Sequence, residues 1–303
     1  MNQNFYDKLN NVIAKDSILI DEPMSRHTTF RVGGPADFFV TPKAKEEVRD
    51  VIRICKEAGM PYYIIGNGSN LLVSDAGYRG VIVQIYKEMN EVKVEGDLVK
   101  AQAGALLSGI AAKALGAELS GFEFASGIPG TIGGACVMNA GAYGGEMKDV
   151  LESVTVLTGE GKIIELGRNE LELGYRTSVI AKKCYIVLGA VLKLERGDGE
   201  KIKTYMDELK EKRVTKQPLE YPSAGSTFKR PEGYFAGKLI QDSGLKGFTV
   251  GGAQVSEKHS GFVINKGNAT AADVMELIRQ VTAKVKEDTG VTMEPEVKQI
   301  GEF

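Results

Sequence analysis

One segment constrains this chain more than any other: residues 124–145, which read FASGIPGTIGGACVMNAGAYGG. Eight glycines lie between Gly121 and Gly145, and the apolar residues follow neither a helical nor a strand period. Dense glycine lets main-chain N–H groups come very close to another molecule, where together they form an anion-binding concavity. Because the segment carries no charged side chain, it predicts a phosphate-bearing cofactor held mainly by backbone. A flexible linker is the alternative, which is disfavoured because a solvated linker has no need of large apolar residues. The segment contains Ile128, Ile132, Val137 and Met138.

Composition excludes several classes of protein. The chain has 303 residues, enough for about two or three domains, and its 43% hydrophobic and 26% charged residues are ordinary for a globular protein. The formal net charge of −2 provides no basic field for nucleic acid. Cys55, Cys136 and Cys184 share no metal-ligand spacing, so we expect reduced thiols and no metal site. The start of the chain lacks a signal-peptide pattern, and no apolar run has the length of a membrane span. We therefore expect a cytoplasmic protein whose partners are small molecules, not nucleic acid or membrane. We also expect a monomer, although composition does not determine the oligomeric state.

Local patterns predict an α+β chain in three units, with boundaries near residues 85 and 197. The first unit begins with a short amphipathic helix over residues 1–14. A second helix is predicted to open at Thr41-Pro42, with Thr as N-cap and Pro as the first helical residue. Gly66-Asn67-Gly68 is similar to the start of a dinucleotide fingerprint, but Leu71 holds the third glycine position and a strand follows. We reject that motif, and both a phosphate- or ribose-binding turn and a plain β-turn remain open.

The second and third units have equally local signals. Residues 86–195 predict an antiparallel sheet with one or two helices, including a hairpin that turns at Gly96-Asp97. In the third unit, Thr270 begins the last helix, and Asp273 completes a capping-box pattern.

Three polar side chains outside the glycine-rich segment lie where secondary structure alone does not require them. Arg176 comes just before a buried strand, although a surface arginine is the commoner explanation. Ser226 lies in a turn-rich stretch, where serine usually serves the turn, but Lys229-Arg230 place two cations beside it. That combination suits a polyanionic substrate held near a hydroxyl. Glu296, or its neighbour Glu294, provides a carboxylate in the final strand, and a solvated side chain is the alternative there.

Seven motifs follow one another along nearly the whole chain: HTTFRVGGPAD, IIGNGSNLLVSD, SGIPGTIGGACVMNAGAYGGEM, GYRTS, PSAGSTFKRP, AGKLIQDSGLKG and EPEVKQIG. As an ordered set they resemble the UDP-N-acetylenolpyruvoylglucosamine reductase family, flavoproteins that are also called UDP-N-acetylmuramate dehydrogenases. The length resembles the shorter subtype, which lacks an added substrate-covering segment. One departure is Arg230, because many members have Asn there.

The resemblance implies a two-part FAD-binding fold of the vanillyl-alcohol-oxidase type over residues 1–85 and 86–197, with an α+β substrate domain over residues 198–291. It implies that the final strand, within residues 292–303, returns to the second part and brings Glu296 to the flavin. FAD would be bound non-covalently, with NADPH as the co-substrate. By motif, the catalytic residues would be Arg176, Ser226 and Glu296, and the substrate-binding residues would be Lys229, Arg230 and Lys238. The residues expected at FAD are Gly66, Asn67, Gly68, Ser69, Asn70, Leu71, Gly127, Ile128, Pro129, Gly130, Thr131, Gly133, Gly134, Ala135, Asn139, Ala140, Gly141 and Tyr143.

The implied reaction reduces the enolpyruvyl ether of UDP-N-acetylglucosamine enolpyruvate to UDP-N-acetylmuramate. It belongs to peptidoglycan synthesis, and so to cell wall biogenesis, cell shape and cell division. A fixed cation at Arg176 would stabilise the enolate charge, Ser226 would donate a proton, and Glu296 would orient or protonate the substrate.

Two other functions compete with this one. The nearest is another FAD-dependent oxidase or dehydrogenase of the same fold that acts on an alcohol or sugar, with His27, Cys55 or Cys136 as a flavin tether. A non-catalytic nucleotide-binding protein on the same scaffold is disfavoured, because the arginine, serine and glutamate of the motifs are all present.

Overall fold

The computed structural model describes residues 3–303. Its helices are α1 (Gln3–Asn10), α2 (Lys45–Glu57), α3 (Leu107–Gly116), α4 (Ile132–Met138), α5 (Met147–Val150), α6 (Val179–Lys182), α7 (Gly199–Lys216), α8 (Ala236–Asp242) and α9 (Ala271–Thr289). Its strands are β1 (Ile18–Pro23), β2 (Pro35–Val40), β3 (Tyr62–Ile65), β4 (Leu71–Val73), β5 (Tyr78–Gln84), β6 (Val92–Glu95), β7 (Leu98–Gln102), β8 (Leu119–Ser120), β9 (Gly141–Ala142), β10 (Gly145–Glu146), β11 (Leu151–Leu157), β12 (Ile163–Gly167), β13 (Ile186–Lys193), β14 (Glu195–Arg196), β15 (Thr249–Val250), β16 (Ala253–Val255), β17 (Val263–Asn265) and β18 (Lys298–Ile300). Within residues 3–303, no helix is both long enough and apolar enough to cross a membrane.

Contacts divide the chain into two compact units, which differ from the predicted segments. The first unit contains the chain up to Leu19 together with Phe38–Asn67 and Gly80–Arg213. The second unit contains Ile20–Asp37, Gly68–Arg79 and Val214–Phe303. The boundaries predicted at 85 and 197 do not coincide with these units. The reason is that Ile20–Asp37 and Gly68–Arg79 group with the C-terminal part of the chain. Which parts serve as cofactor and substrate domains remains a prediction.

The first unit is built around an antiparallel sheet in the order β12-β11-β13-β7-β6. It confirms the sheet predicted over residues 86–195, and β6 and β7 form the predicted hairpin, with Glu95 opposite Leu98. Helix α4 packs against β13 and β7. Strands β3 and β5 pair in parallel, with Tyr62 opposite Val81 and Ile65 opposite Gln84. Helix α1 confirms the predicted first helix but ends at Asn10, and residues 1–2 of that prediction lie outside the described residues.

The second unit combines the antiparallel sheet β15-β16-β17 with helix α9, which packs on β15 and β16. The predicted capping box is present, because Thr270 Oγ1 accepts from the Asp273 N–H and the Asp273 carboxylate accepts from the Thr270 N–H. Gly290 ends α9 at φ 74°, a left-handed conformation that glycine adopts without steric cost. The predicted apolar stripe of α9 is buried: Val274, Leu277, Ile278, Val281 and Val285.

The final strand does not return where we predicted. Strand β18 pairs in parallel with β4, with Lys298 opposite Leu71 and Ile300 opposite Val73. The prediction that it joins residues 86–197 is therefore wrong. The backbone groups of β18 are instead satisfied by β4, and the Ser74 N–H donates to the Ile300 carbonyl to continue the ladder.

Candidate active site

The glycine-rich segment, residues 124–145, contains a short helix that its sequence did not predict. Thr131 caps α4 by accepting a hydrogen bond from the Gly134 N–H at 3.4 Å, and Asn139 ends the helix in the left-handed region at φ 45°. A helix of two turns is too short to show a period through glycine, so the sequence pattern gave no signal.

The backbone amides of α4 do not form the anion-binding concavity that we expected. The Ile132 and Gly133 N–H groups donate to the carbonyls of Ala105 and Ala103, at 2.9 Å each. The Ala135 N–H donates to the Thr131 carbonyl. With the Gly134 N–H on the Thr131 hydroxyl, four successive donors are engaged within the protein. The N–H groups of residues 132–135 are therefore not available to a ligand. A ligand would contact this part of the segment through the surface of its glycines.

The Gly66-Asn67 turn and the glycine-rich segment come together in the first unit. The Asn67 side-chain amide donates to the Pro129 carbonyl at 2.8 Å. A Cβ added at Gly66 would lie only 2.3 Å from Thr131 Oγ1, so no other residue fits there without movement of Thr131. Two stretches that the sequence assigned to one cofactor are thus in direct contact.

A cavity of about 100 Å³, partly open to solvent, lies beside this contact. Glycines 66, 133 and 134 and Thr131 form one part of its wall, and the remainder is mainly apolar: Ile64, Ile65, Ile85, Ala103, Val137, Tyr185, Ile186 and Val187. An apolar wall beside side-chain-free backbone fits a flat aromatic ring system such as that of a flavin. The residues present therefore fit part of an FAD molecule.

Arg213 supplies a positive charge to the uncharged glycine-rich segment. Its guanidinium lies against Gly127, where an added Cβ would be 2.7 Å from Nη1 and 3.1 Å from Cδ. Burial lowers the pKa of Arg213, an effect that the nearby Tyr143 hydroxyl opposes. Sequence reasoning missed this arginine, because nothing in a helix far along the chain indicates contact with Gly127.

Arg176 occupies a tight turn in the same unit. Gly174 and Thr177 exchange two backbone hydrogen bonds of 3.1 and 3.2 Å across Tyr175 and Arg176, and we call residues 174–177 the Arg176 turn. Arg176 has φ 54°, which is uncommon for a residue with a side chain and is found where surrounding structure enforces it. The guanidinium carbon lies 5.2 Å from the centre of the Tyr175 ring, a cation–π contact.

Ser226 and Glu296 are both in the second unit, and buried Thr227 connects their backbones. The Thr227 N–H donates to the Gly261 carbonyl, and the Thr227 carbonyl accepts from the Glu296 N–H, both at 2.8 Å. Thr227 Oγ1 also accepts from the Val263 N–H at 2.9 Å. One threonine thus fixes the segments that carry the predicted proton donor and the predicted carboxylate. The sequence did not single it out.

The two candidate carboxylates differ in environment. Glu294 is exposed and pairs with Lys229 at 2.8 Å, and the Lys229 ammonium lowers the pKa of Glu294. Glu296 is half-buried, and its carbonyl accepts from the Asn70 side-chain amide at 3.3 Å. The ion pair with Lys229 thus stabilises the ionised form of Glu294.

Gly68 to Leu71, the rest of the predicted cofactor turn, belong to the second unit. A Cβ at Gly68, which has φ 64°, would lie 2.0 Å from the His27 carbonyl oxygen. Leu71 is buried in β4, and the Asn70 side-chain amide donates to the Glu296 carbonyl. Gly68, Asn70 and Leu71 thus contact other segments of the second unit, a structural role that motif matching did not anticipate.

The three predicted substrate-binding cations lie in the second unit, and each has a protein contact. Lys229 pairs with Glu294, as described, and Lys238 pairs with Asp242 at 2.5 and 2.7 Å. Arg230 donates from Nε to the Tyr234 carbonyl, and its guanidinium carbon lies 3.9 Å from the centre of the exposed Phe235 ring. Both lysines are thus already paired with carboxylates.

His259 lies close to Ser226. Its Nδ1 accepts from the Gly261 N–H at 3.1 Å, which places the proton of the neutral ring on Nε2. A Cβ at Gly261 would be 3.1 Å from His259 Nδ1 and 3.6 Å from Ser226 Oγ. Burial lowers the pKa of His259 below its ordinary 6.5, so the ring is neutral at pH 7. Among residues 3–303, no group of three or more His, Cys, Asp or Glu converges as a metal site.

Comparison with known sequences gives a consistent set of relatives. Residues 217–300 match the family described as UDP-N-acetylenolpyruvoylglucosamine reductase, C-terminal domain, and residues 36–167 match the FAD binding domain. A UDP-N-acetylenolpyruvoylglucosamine reductase of Clostridioides difficile is 52% identical over 99% of both chains. One from Clostridium perfringens is 55% identical, again over 99% of both.

Comparison with solved structures agrees. The crystal structure of UDP-N-acetylenolpyruvylglucosamine reductase from Thermus caldophilus has a TM-score of 0.80 and 37% identity, over 94% of this chain and 98% of that one. A structure of alkyldihydroxyacetonephosphate synthase has a TM-score of 0.51 at 18% identity, over 65% of this chain and 41% of that one. The second likeness concerns the fold alone. Together these similarities confirm the predicted fold class, an FAD-binding fold of the vanillyl-alcohol-oxidase type with an additional α+β domain.

Proposed function

Because the chain belongs to the UDP-N-acetylenolpyruvoylglucosamine reductase family, we propose that it reduces the enolpyruvyl ether of UDP-N-acetylglucosamine enolpyruvate to UDP-N-acetylmuramate, with FAD as cofactor and NADPH as electron donor. The observation that carries the proposal is the pairing through Thr227, which fixes the segments of Ser226 and Glu296 as neighbours. An alcohol or sugar oxidase is not favoured, because likeness to such flavoenzymes stays below 20% identity and covers about two thirds of the chain.

Bound FAD, in its reduced form, would supply the hydride for the substrate double bond, and NADPH would supply the hydride that regenerates this reduced form. The cavity beside Gly66 and Thr131 would take a ring of the cofactor, and glycines 133 and 134 would let it approach the backbone. Arg213, which lies on Gly127, would place a cation near an anionic part of the cofactor or substrate. Residues 127–143 would thus contribute shape, and Arg213 would add a positive charge beside Gly127.

Three side chains would each take one further role in the reaction: Arg176, Ser226 and Glu296. Reduction of the double bond places negative charge on the carboxyl side of the substrate, and a guanidinium aimed at that charge stabilises it most where water is excluded. Arg176 is that cation. Ser226 Oγ would transfer its proton to the carbon that bears the ether oxygen, and Glu296 would orient or protonate the substrate carboxylate.

Lys229, Arg230 and Lys238 would bind the anionic groups of the nucleotide sugar. The exposed ion pairs of the two lysines are weak, because solvent screens them, so a diphosphate can compete for these ammonium groups. Arg230 takes the place of an asparagine found in many family members, and its planar guanidinium suits bidentate contact with phosphate.

The cellular setting follows from this reaction. Because the reaction uses a nucleotide sugar and NADPH, we propose that the protein acts in the cytoplasm. The product is a precursor of peptidoglycan, so the reaction contributes to cell wall biogenesis, cell shape and cell division. Buried Cys55 and Cys136 and exposed Cys184 are all free thiols, in agreement with a reducing compartment. We propose that it acts there as a monomer on small molecules.

The test is anaerobic. The FAD-loaded protein is reduced with a stoichiometric amount of NADPH, UDP-N-acetylglucosamine enolpyruvate is added, and flavin absorbance is followed. We expect bleaching and then rapid recovery in the wild type. Absence of recovery would contradict the proposed substrate. In Ser226→Ala we expect bleaching as before, with recovery slowed on the order of 10²–10⁴-fold because the proton donor is lost. Ser108→Ala, which removes an exposed serine of α3, is the matched control. Normal recovery in Ser226→Ala would remove the role of that serine.

A further inference from the structure

Asn139 lies inside the protein, where it bonds to protein groups in place of the cofactor that motif matching assigned to it. It is 1% exposed. Its amide nitrogen donates to Glu146 Oε2 at 2.7 Å and to the Gly174 carbonyl at 3.1 Å. Its amide oxygen accepts from the Lys148 N–H at 2.9 Å. An asparagine amide has two donor hydrogens, and both are used here.

Ser178 makes a second connection on the other side of the Arg176 turn. Its hydroxyl donates to the Val137 carbonyl, near the end of α4, at 2.6 Å. The same oxygen accepts from the Ala181 N–H and so caps α6. Ser178 is completely buried. The turn is therefore attached to the glycine-rich segment at Gly174 before Arg176 and at Ser178 after it.

Arg176 needs such support for two reasons. Its backbone occupies the left-handed region at φ 54°, which is strained for a residue with a Cβ and persists only where neighbours enforce it. Its guanidinium lies at the end of a long side chain, so the position of the turn decides which points the guanidinium can reach.

We propose that Asn139 and Ser178 are positioning residues, which fix the Arg176 turn relative to the glycine-rich segment. In that position the guanidinium meets the charge that develops on the substrate. The inference rests on the proposed function, since it takes the role of Arg176 from there. It replaces the direct cofactor contact predicted for Asn139 with an indirect role through Arg176.

Two variants separate this role from general damage to the fold. Asn139→Gly removes the side chain but keeps a residue that adopts φ 45° without strain, so the end of α4 keeps its conformation. Ser178→Ala removes both the bond to Val137 and the cap of α6. Thr270→Ala is the matched control for Ser178→Ala, because it also removes a hydroxyl N-cap, from α9, and touches neither the Arg176 turn nor the glycine-rich segment.

The experiment measures the two half-reactions of the FAD-loaded enzyme by anaerobic stopped flow, together with the dissociation constant of FAD. In Asn139→Gly and Ser178→Ala, we expect reoxidation of the reduced flavin by UDP-N-acetylglucosamine enolpyruvate to slow by about 10–100-fold, since a displacement near 1 Å has effects of this order. Reduction by NADPH should slow less, and FAD affinity should change by less than about threefold. Thr270→Ala should leave both half-reactions unchanged.

Each outcome has a defined meaning. If both half-reactions slow equally, or if FAD affinity falls with them, the residues support the whole segment and the inference is overturned. If Asn139→Gly and Ser178→Ala behave like Thr270→Ala, it is overturned as well. Failure of the wild type to be reoxidised by this substrate contradicts the proposed function instead, so the two failures are distinguishable.

Discussion

Gly66→Ala gives the most direct test of the contact between the Gly66-Asn67 turn and the glycine-rich segment. The new Cβ would lie 2.3 Å from Thr131 Oγ1, 3.1 Å from its Cγ2 and 3.3 Å from its Cβ, where 3.4–4 Å is ordinary contact. Thr131 is 2% exposed and caps α4, so it has no solvent to rotate into. Overpacking of this kind costs about 1–3 kcal/mol. Because Gly66 is outside the left-handed region, backbone strain adds nothing to this figure.

The assay is urea unfolding of the apoprotein followed by circular dichroism, with FAD binding measured in parallel. We expect the free energy of unfolding of Gly66→Ala to fall by about 1–3 kcal/mol and FAD affinity to fall with it. Gly109→Ala is the control: no atom lies within 4 Å of its Cβ, and alanine is preferred to glycine in a helix, so the free energy of unfolding should rise by up to about 1 kcal/mol.

A second substitution tests whether Thr131 is the cause. Thr131→Ala alone removes the cap of α4 at a cost of about 1 kcal/mol. It also removes the two nearest clashing atoms, so Gly66→Ala should add little in that background, and the two effects should be non-additive. A Gly66→Ala protein within about 0.5 kcal/mol of the wild type, or strictly additive losses in the double variant, would refute the packing argument.

Two further predictions concern the second unit. Burial lowers the folded-state pKa of His259 below 6.5, so the unfolded chain binds the proton first and stability is lost as pH falls below about 6.5. His259→Asn, whose side-chain oxygen still accepts from the Gly261 N–H, should lose less stability than the wild type between about pH 8 and pH 5.5 in urea unfolding. Thr227→Val leaves the buried Val263 N–H without its acceptor, and should lower the free energy of unfolding by about 1–3 kcal/mol. Thr227→Ser keeps the acceptor and should lose clearly less, and equal losses in the two variants would contradict the hydrogen-bond account.

Elements whose signals lie within a few residues were predictable. The hairpin at Gly96-Asp97 and the capping box at Thr270 are correct, because turn and cap preferences depend on nearby backbone geometry. The helix start at Thr41-Pro42 was wrong: α2 begins at Lys45 with Ala44 as N-cap. The Thr41 N–H donates to the Ser17 carbonyl, a contact with a distant residue that local cap preferences do not reveal.

The candidate site was less predictable, because its contacts join residues far apart in the sequence. Glycine density identified the segment around Gly127, but not the guanidinium of Arg213 that lies on it. Motif matching assigned Asn139 to the cofactor, whereas its side chain is buried and bonded to Gly174. No periodicity or composition carries such information, since a buried amide and a ligand-binding amide look identical in a sequence.

The choice between Glu294 and Glu296 shows what the structure adds to the chemistry. The two residues are two positions apart in extended chain, so sequence alternation cannot separate them. Lys229 separates them, because it bonds Glu294 through both backbone and side chain and lowers its pKa. That pairing stabilises the ionised form of Glu294, which disfavours proton donation by that residue. The Glu296 N–H is fixed on the Thr227 carbonyl, next to Ser226 in the chain. We therefore propose Glu296, and not Glu294, for the carboxylate role, while Lys229 stays paired with Glu294 in the absence of an anionic substrate.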